Sequence, residues 1–199
     1  PFVRGPEISI NCGEICDSVK QAVDSGVKEI ILLGQNVNSY NDNGINFTKL
    51  LRQVSKIDNL KRIRFMTNHP KDFSEELIDE IAGNDKICRH IHLPMQSGSN
   101  EILKRMNRHY TRERYLEIVD KLRASMDDVE MTTDIIVGFP GETEQDFQDT
   151  LNMVERVGFA SAFTFKYSPR KGTRAATMDG QISDAVKREI DKVPPGLSG

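Results

Sequence analysis

The sequence predicts an α/β fold with a parallel sheet, in the form of a partial, open (β/α) barrel. Three observations predict it. Short apolar segments alternate with amphipathic helical segments, which is typical of βαβ units. Each apolar segment leads directly into a polar or glycine-rich turn. This pattern occurs five times in 199 residues, whereas a complete eightfold barrel typically needs about 250 residues, so we expect a barrel that lacks its first strand.

The five predicted strands are short runs of mostly apolar residues. The first covers residues 29–34 (EIILLG), and its uninterrupted apolar character predicts a buried parallel strand. The later strands cover residues 62–66, 90–93, 133–137 and 162–167. No exact sequence repeat relates the five units, so the prediction depends on the alternation of strand and helix alone.

Six helices are predicted from apolar positions that recur every three or four residues. The first begins at Cys12 and is expected to stop at Gly26. The others cover residues 47–57, 74–82, 100–106, 111–124 and 143–157. The core is expected to span residues 1–176, and residues 177–199 to form a trailing helix, at 183–193, and a linker-like tail.

Composition restricts the class of protein. Hydrophobic residues make up 37% of the chain and charged residues 29%, as in soluble globular domains. No apolar run approaches the ~20 residues of a membrane helix, and a net charge of -3 argues against a generally basic nucleic-acid coat.

With 3 cysteines and no secretion signal, we expect reduced thiols and a cytoplasmic location. Because the chain begins at Pro1 rather than Met, we expect a piece of a longer protein.

Polar residues follow the predicted strands at their carboxyl ends, where barrels and open α/β sheets bind ligands. Gln35 and Asn36 follow the first strand, and Gln96, Ser97 and Ser99 follow the third. Amides and hydroxyls suit the ribose, carboxylate or amine of a small polar ligand. We therefore expect these loops to converge on one ligand-binding rim.

A glycine-rich turn follows the fourth strand and leaves two interpretations open. Gly138 and Gly141 would let the backbone approach a phosphate or a nucleotide closely, at the start of a helix. The same residues, with Pro140, would also shape an ordinary βα loop. The spacing matches neither a dinucleotide-binding fingerprint nor a phosphate-binding P-loop.

Two patterns raise the possibility of metal binding. Cys12 and Cys16 have the spacing of half a cluster motif, but both lie on the apolar stripe of the first helix, which favours a core role.

His90 and His92 project from one face of a strand, like the zinc ligands of barrel hydrolases, with His69 and Asp134 as further candidates. The other interpretation is a histidine that fills the interior and hydrogen-bonds locally.

The densest basic stretch also allows two interpretations. It suits contacts with phosphates, and it equally suits a solvated helix face balanced by Glu101, Glu113 and Glu117. Its six basic residues are Lys104, Arg105, Arg108, His109, Arg112 and Arg114.

Five blocks of sequence, together with these residues, resemble the MiaB-type methylthiotransferases of the radical S-adenosylmethionine (SAM) superfamily. The resemblance runs from Pro1 to about Ala176, and the order of the blocks makes it more specific than any single motif. The blocks are LLGQNVNSY (32–40), TNHPKDFSEELI (67–78), HIHLPMQSGSNEILKRMNRHYTRERYL (90–116), TTDIIVGFPGETEQDF (132–147) and FTFKYSPRKGT (163–173).

The resemblance implies a radical-SAM type of barrel and a role in tRNA modification. Enzymes of this family add a 2-methylthio group to N6-isopentenyladenosine at position 37 of tRNA. They use SAM as methyl donor and as radical source, a [4Fe-4S] cluster to reduce it, and an auxiliary cluster and a TRAM domain besides. The implied partners are the tRNA anticodon stem-loop, a reductant and a sulfur source. Alternatives within the family act on another tRNA adenosine or on a ribosomal protein.

The resemblance also implies site residues, with none assigned to catalysis. The cluster cysteines are expected upstream of Pro1, so Cys12 and Cys16 are not expected to be ligands and the chain alone is expected to be inactive. The residues expected to contact SAM are Gly34, Gln35, Asn36, Gln96, Ser97, Ser99, Ile136 and Gly138. Those expected on the substrate side are Arg4, Tyr167 and Arg170.

Two alternatives from other functional classes stay open at this point. A metal-dependent hydrolase would use His90 and His92 as ligands. A non-catalytic fragment would bind a ligand without turning it over.

Overall fold

The structure is a computed structural model of the chain, and it describes residues 8–66 and 68–183. Arg4 and residues 184–193 of the expected trailing helix lie outside this range. The chain divides into two compact units, with the boundary between Arg89 and His90. The sequence pattern, which predicts one core over residues 1–176, does not predict this boundary.

The first unit contains a two-stranded parallel sheet, a small hairpin and three helices. β1 (Glu29–Leu32) pairs in parallel with β4 (Arg62–Phe65), and the register places Ile30 opposite Ile63. β2 (Asn41–Asp42) and β3 (Ile45–Asn46) form an antiparallel hairpin that the sequence pattern does not predict, because each strand has only two residues. In chain order the elements are α1 (Cys12–Asp24), β1 (Glu29–Leu32), β2 (Asn41–Asp42), β3 (Ile45–Asn46), α2 (Phe47–Ser55), β4 (Arg62–Phe65) and α3 (Glu75–Gly83).

The core of the first unit forms where the helices cover β4. Ile63 and Phe65 are buried on β4, and the ring of Phe47 packs edge-on against that of Phe65 at 5.1 Å between centroids. The hairpin fixes the start of α1, because the carboxylate of Asp42 accepts a hydrogen bond from the Cys12 amide at 2.8 Å. The unit is therefore held by burial around β4 and by polar contacts at the first helix.

The expectation that residues 29–34 form a fully buried strand is wrong. β1 ends at Leu32, and the side chains of Ile31 and Leu33 are 50% and 73% exposed. Both residues line a cavity of about 510 Å³, with Ile8 and Ile10 also on its wall. An uninterrupted apolar run predicts a strand covered on both faces, but here the run borders an open cavity.

The second unit contains a three-stranded parallel sheet and three helices. β5 (His90–His92), β6 (Glu130–Val137) and β7 (Ser161–Lys166) lie side by side in that order. The register aligns His92 with Thr132 and Thr132 with Ser161. β6 begins three residues before its predicted start at Thr133. In chain order the elements are β5 (His90–His92), α4 (Asn100–Arg105), α5 (Arg112–Ser125), β6 (Glu130–Val137), α6 (Glu144–Val157) and β7 (Ser161–Lys166).

The two faces of this sheet differ in burial. Because side chains alternate along a strand, one face carries Met131, Ile135 and Ala162, which are all buried. The opposite face carries Phe163 and Phe165, which are 50% and 53% exposed. The sheet therefore presents one closed face and one accessible face.

The helices of the second unit follow their sequence patterns closely. The predicted stripe of α5 is buried, with Tyr115, Ile118 and Leu122 fully enclosed. α6 begins with a capping box between Thr143 and Asp146, as the sequence pattern indicates. Among residues 8–66 and 68–183, no helix combines the length and the apolar character needed to span a membrane.

Candidate functional site

The loop after β1 is fixed to the loop after β4 by two asparagine side chains. The Asn36 amide donates a hydrogen bond to a carboxylate oxygen of Asp72 at 2.7 Å. The Asn38 amide donates to the His69 carbonyl at 3.1 Å and accepts from the His69 N–H at 2.9 Å. These contacts set the backbone of the strand-end loop, in which Gly34 and Gln35 are exposed.

Asn36 also carries an unused acceptor. Its side-chain oxygen Oδ1 is buried and has no hydrogen-bond partner among the described residues. The residue lines the cavity of about 510 Å³ in the first unit, together with Gly34 and Gln35. A buried acceptor without a donor costs free energy, so a ligand that donates a hydrogen bond at this point would offset that cost.

The turn after β5 holds Gln96 in a left-handed backbone conformation, with φ of 66°. Two backbone hydrogen bonds join Gln96 to β6. Its N–H donates to the Asp134 carbonyl, and its carbonyl accepts from the Ile136 N–H, both at 2.8 Å. A non-glycine residue with positive φ is uncommon and persists only where its surroundings enforce it. Gln96 is therefore a strained, buried residue at the carboxyl end of a strand.

Three hydroxyls hold the segment that leads into Gln96. Tyr115 donates to the Leu93 carbonyl at 2.7 Å, and Tyr110 donates to the Met95 carbonyl at 2.8 Å. The Thr133 hydroxyl accepts from the Met95 N–H at 2.8 Å. Burial raises the pKa of both tyrosines, so the hydroxyls stay protonated as donors and the turn is rigidly positioned.

Ser97 and Ser99 contact α6 rather than open space. The Ser97 hydroxyl lies 3.4 Å from that of Thr150, and the Ser99 hydroxyl donates to a carboxylate oxygen of Asp146 at 2.5 Å. Gly98, between them, lies so close that a Cβ there would be 2.5 Å from the Asp149 carbonyl oxygen. Both hydroxyls thus have partners within the chain, and their contact with a cofactor stays a prediction.

His92 is oriented by two side chains on β6. Its Nδ1 lies 3.0 Å from the Thr132 hydroxyl, and its Nε2 lies 3.5 Å from a carboxylate oxygen of Asp134. Within the described ranges, no group of three or more His, Cys, Asp or Glu residues could hold a metal ion. The geometry gives His92 a local hydrogen bond with Thr132 and a contact with Asp134, and it offers no support for the zinc hydrolase alternative with His90.

The turn after β6 contains Glu142, a half-buried carboxylate. Gly138 has φ of 73°, and its N–H donates to Glu142 Oε2 at 2.5 Å. Burial raises the pKa of Glu142 from 4.5 to about 7. The other oxygen, Oε1, is buried without a hydrogen-bond partner in the part of the chain that the structure describes. Sequence reasoning missed Glu142 as a site residue, although its place after Gly138 and Gly141 was a usable signal.

The accessible face of the second sheet carries further candidates. Ile136 is half-buried there, and the register aligns it with the exposed Phe165. Tyr167 packs its ring edge-on against Phe139 at 5.0 Å, while Arg170 is exposed in the following turn. Sequence reasoning did not select Phe163 or Phe165, although their alternation with Ala162 and Thr164 was the available signal.

The cysteines do not form a cluster site. Cys12 is buried and Cys16 is half-buried on α1, while Cys88 is half-buried elsewhere in the first unit. Burial, followed by the neighbouring Cys12, raises the pKa of the Cys16 thiol to about 11. Since the thiolate is the form that binds metal, a protonated, partly buried thiol is a poor ligand. The described residues therefore do not fit a [4Fe-4S] cluster.

Comparison with known proteins shows the family. The model of the "Radical SAM superfamily" matches residues 2–154. The chain is 57% identical over 192 residues to "tRNA-2-methylthio-N(6)-dimethylallyladenosine synthase" of Thermoanaerobacter pseudethanolicus, covering 95% of this chain and 41% of that protein. It is 56% identical to the protein of the same name from Moorella thermoacetica, covering 95% and 43%. The chain thus spans less than half the length of these curated relatives.

Solved structures show the same type of fold. Methylornithine synthase (PylB) matches with a TM-score of 0.59 at 13% identity, covering 88% of this chain and 50% of that one. Streptococcus suis SuiB bound to S-adenosylmethionine matches with a TM-score of 0.58 at 12% identity, covering 94% and 39%. The expected α/β fold of the partial radical-SAM barrel type is confirmed, since the sheets β1-β4 and β5-β6-β7 are parallel and no sheet closes on itself within the described residues. The family model and the fold agree, and the chain belongs to the radical SAM superfamily.

Proposed function

We propose that this chain supplies the SAM-binding part of a radical-SAM methylthiotransferase that modifies tRNA. The product would be the 2-methylthio derivative of N6-isopentenyladenosine at position 37, in the anticodon stem-loop. One observation carries the proposal: about 95% of the chain aligns, at 56–57% identity, with proteins named for this synthesis. The proposed location is the cytoplasm, where such a substrate is found.

The residues of the first unit fit the amino acid end of SAM. Its ammonium group donates hydrogen bonds, and Asn36 offers a buried acceptor that no described residue uses. The exposed backbone of Gly34 and Gln35 lies on the wall of the same cavity, whose volume of about 510 Å³ is in the range of small-molecule sites. We propose that these three residues hold the methionine moiety.

The residues of the second unit fit a nucleoside. Ile136 offers an apolar, half-buried surface for a purine ring, and Gly138 brings backbone without a side chain to the end of the same strand. Gln96, Ser97 and Ser99 follow the neighbouring strand β5. We propose that Ile136 and Gly138 contact the adenine and that the β5 turn contributes to the ribose or carboxylate.

SAM and a reduced [4Fe-4S] cluster, when bound, supply the radical and the methyl group. The described residues would bind SAM and orient it. The hydroxyls of Tyr110, Tyr115 and Thr133 keep the Gln96 turn in place for that role. Orientation matters because a reacting group displaced by about 1 Å loses large rate factors. We propose Tyr167 and Arg170 for the substrate side, with Arg4 as a further candidate.

The test uses the full-length protein with its clusters reconstituted under anaerobic conditions. It is incubated with SAM, a reductant and tRNA that carries the isopentenyl group without the methylthio group. We expect 5′-deoxyadenosine together with a methylthio-nucleoside, both detected by mass spectrometry. A ribosomal protein modified in place of tRNA would support the other branch of the family. SAM cleavage absent under these conditions would contradict the proposal and favour a non-catalytic role.

A further inference from the structure

The six basic residues between Lys104 and Arg114 separate into two groups in the structure. Three of them already have partners. Arg105 donates to the Asp179 carbonyl at 3.2 Å. Arg112 lies 3.6 Å from Glu113 and 3.7 Å from Asp149. Arg114 lies 3.1 Å from Glu117. The charges of Arg112 and Arg114 are therefore partly compensated within the fold.

The other three have no acidic partner within ion-pair distance among the described residues. All three line one cavity of about 480 Å³ at the end of α4. Lys104 and His109 are exposed at this cavity, and Arg108 is half-buried in it. The uncompensated positive charge of the stretch is thus gathered at a single place.

The turn that ends α4 creates this arrangement. Asn107 adopts a left-handed conformation with φ of 57°, and the Arg108 N–H donates back to the Leu103 carbonyl at 2.8 Å. The Nε atom of Arg108 is buried and has no hydrogen-bond partner in residues 8–66 and 68–183. An unsatisfied buried donor costs free energy, and an acceptor bound at the cavity would offset that cost.

We propose that this cavity binds a backbone phosphate of the RNA substrate. Phosphate oxygens accept hydrogen bonds and carry the opposite charge to Lys104 and Arg108, and such contacts position RNA without reading its sequence. The carboxylate of Glu113 is engaged by the amide of Asn100, a residue that lines the cavity, at 2.9 Å, and by Arg112. The inference rests on the proposed function and adds to it a specific point of contact with RNA.

The cavity shares Tyr110 with the segment that leads into Gln96, one of the residues proposed to contact SAM. Tyr110 lines the cavity, and its hydroxyl donates to the carbonyl of Met95, the residue before Gln96. A phosphate held by Arg108 would therefore lie beside the tyrosine that fixes the Gln96 turn. RNA bound at this point sits on a rigid part of the second unit.

The test measures binding of a tRNA anticodon stem-loop to the full-length protein by filter binding at several salt concentrations. The variants are Arg108→Gln and the double variant Lys104→Ala with His109→Ala. We expect each to weaken binding on the order of tenfold near 0.1 M salt, and the slope of log K against log salt to fall by about one per lost contact. SAM affinity, measured by calorimetry, should stay unchanged.

Matched controls and a second variant keep the outcomes distinct. Arg156→Gln is the matched control. Arg156 is an exposed cation on α6 that lies 3.7 Å from Asp120 on α5, and we expect this variant to bind RNA like the wild type. If Arg108→Gln fails to fold, the double variant decides, because both of its side chains are exposed. Wild-type affinity in the double variant overturns this inference while leaving the proposed function intact. A wild-type protein that binds no stem-loop overturns both.

Discussion

At the scale of single residues, Glu142 shows how burial sets a chemical property. Its carboxylate accepts the Gly138 N–H, yet burial outweighs that hydrogen bond and raises the pKa to about 7. The folded protein therefore retains a proton between pH 4.5 and about 7 that the unfolded chain has released. The stability from this group is fully present below pH 4.5 and is lost as pH rises through 7.

The first prediction concerns Glu142→Gln. Glutamine keeps an acceptor for Gly138 and cannot ionise, so we expect the variant to be more stable than wild type at pH 8 by about 1–3 kcal/mol, at about 1.4 kcal/mol per pKa unit. The difference should shrink as the pH falls and vanish below pH 4.5. Urea unfolding across this pH range measures it, with the exposed Glu144→Gln as the control. A difference between Glu142→Gln and wild type that does not change with pH would contradict the assignment.

A second residue-scale prediction concerns Gly98. A Cβ at this position would lie 2.5 Å from the Asp149 carbonyl oxygen and 2.6 Å from the Thr150 Cα. Because both are backbone atoms of α6, they cannot move aside cheaply, and we expect Gly98→Ala to cost about 1–3 kcal/mol of unfolding free energy. Gly83→Ala is the control, since a Cβ there meets nothing within 4 Å. Equal thermal stability of the two variants would show that α6 packs less tightly on this turn.

At the scale of elements, the strand-end loops combine structural and ligand-facing roles. In the loop after β1, Asn38 is committed to His69, while Asn36 uses only its amide N–H and keeps a buried oxygen unpaired among the described residues. In the turn after β5, Ser97 and Ser99 hold α6, while the backbone of Gln96 is strained. We therefore expect the ligand to contact residues that keep an unused hydrogen-bonding group, such as Asn36.

The third prediction tests these loops in the full-length protein. Gln35→Ala removes an exposed amide at the cavity of the first unit, and Gly138→Val places a branched side chain at φ of 73°. We expect each change to weaken SAM binding on the order of tenfold, as measured by calorimetry, because each removes or blocks a proposed contact. Unchanged affinity in both variants would mean that the cofactor binds elsewhere.

The fourth prediction concerns α1. Cys12 and Cys16 lie on the apolar side of this helix, and the Cys16 thiol has a pKa of about 11. We therefore expect the variant with both cysteines changed to Ala to keep the full iron content of the reconstituted full-length protein, at a stability cost of about 1–2 kcal/mol. Iron loss in elemental analysis would make α1 a cluster element.

At the scale of the whole molecule, the described residues fit one part of the expected chemistry and not another. They provide acceptors, glycine turns and an accessible sheet face that suit SAM. They provide no group of three metal-binding side chains. Binding of SAM and its reductive cleavage are therefore expected to separate experimentally.

The fifth prediction follows from that separation. We expect the 199-residue chain to show no reductive cleavage of SAM after treatment with iron, sulfide and reductant, whereas the full-length protein cleaves it. The measurement is 5′-deoxyadenosine formed under anaerobic conditions. Cleavage by the 199-residue chain would show that its own residues hold a working cluster.

The sequence by itself determined the order of the five parallel strands and the six helices, the buried stripe of α5 and the capping box of α6. These features depend on periodicity and on neighbours three or four residues apart, which a sequence displays directly. Only the tertiary structure decided that Ile31 borders a cavity, that Ser97 and Ser99 hold α6, and which basic residues near α4 stay uncompensated. Those outcomes depend on partners that lie 53 and 47 residues away for the two serines, or on the exact turn of a loop. Local patterns cannot encode such contacts, because burial and pairing are properties of the packed chain.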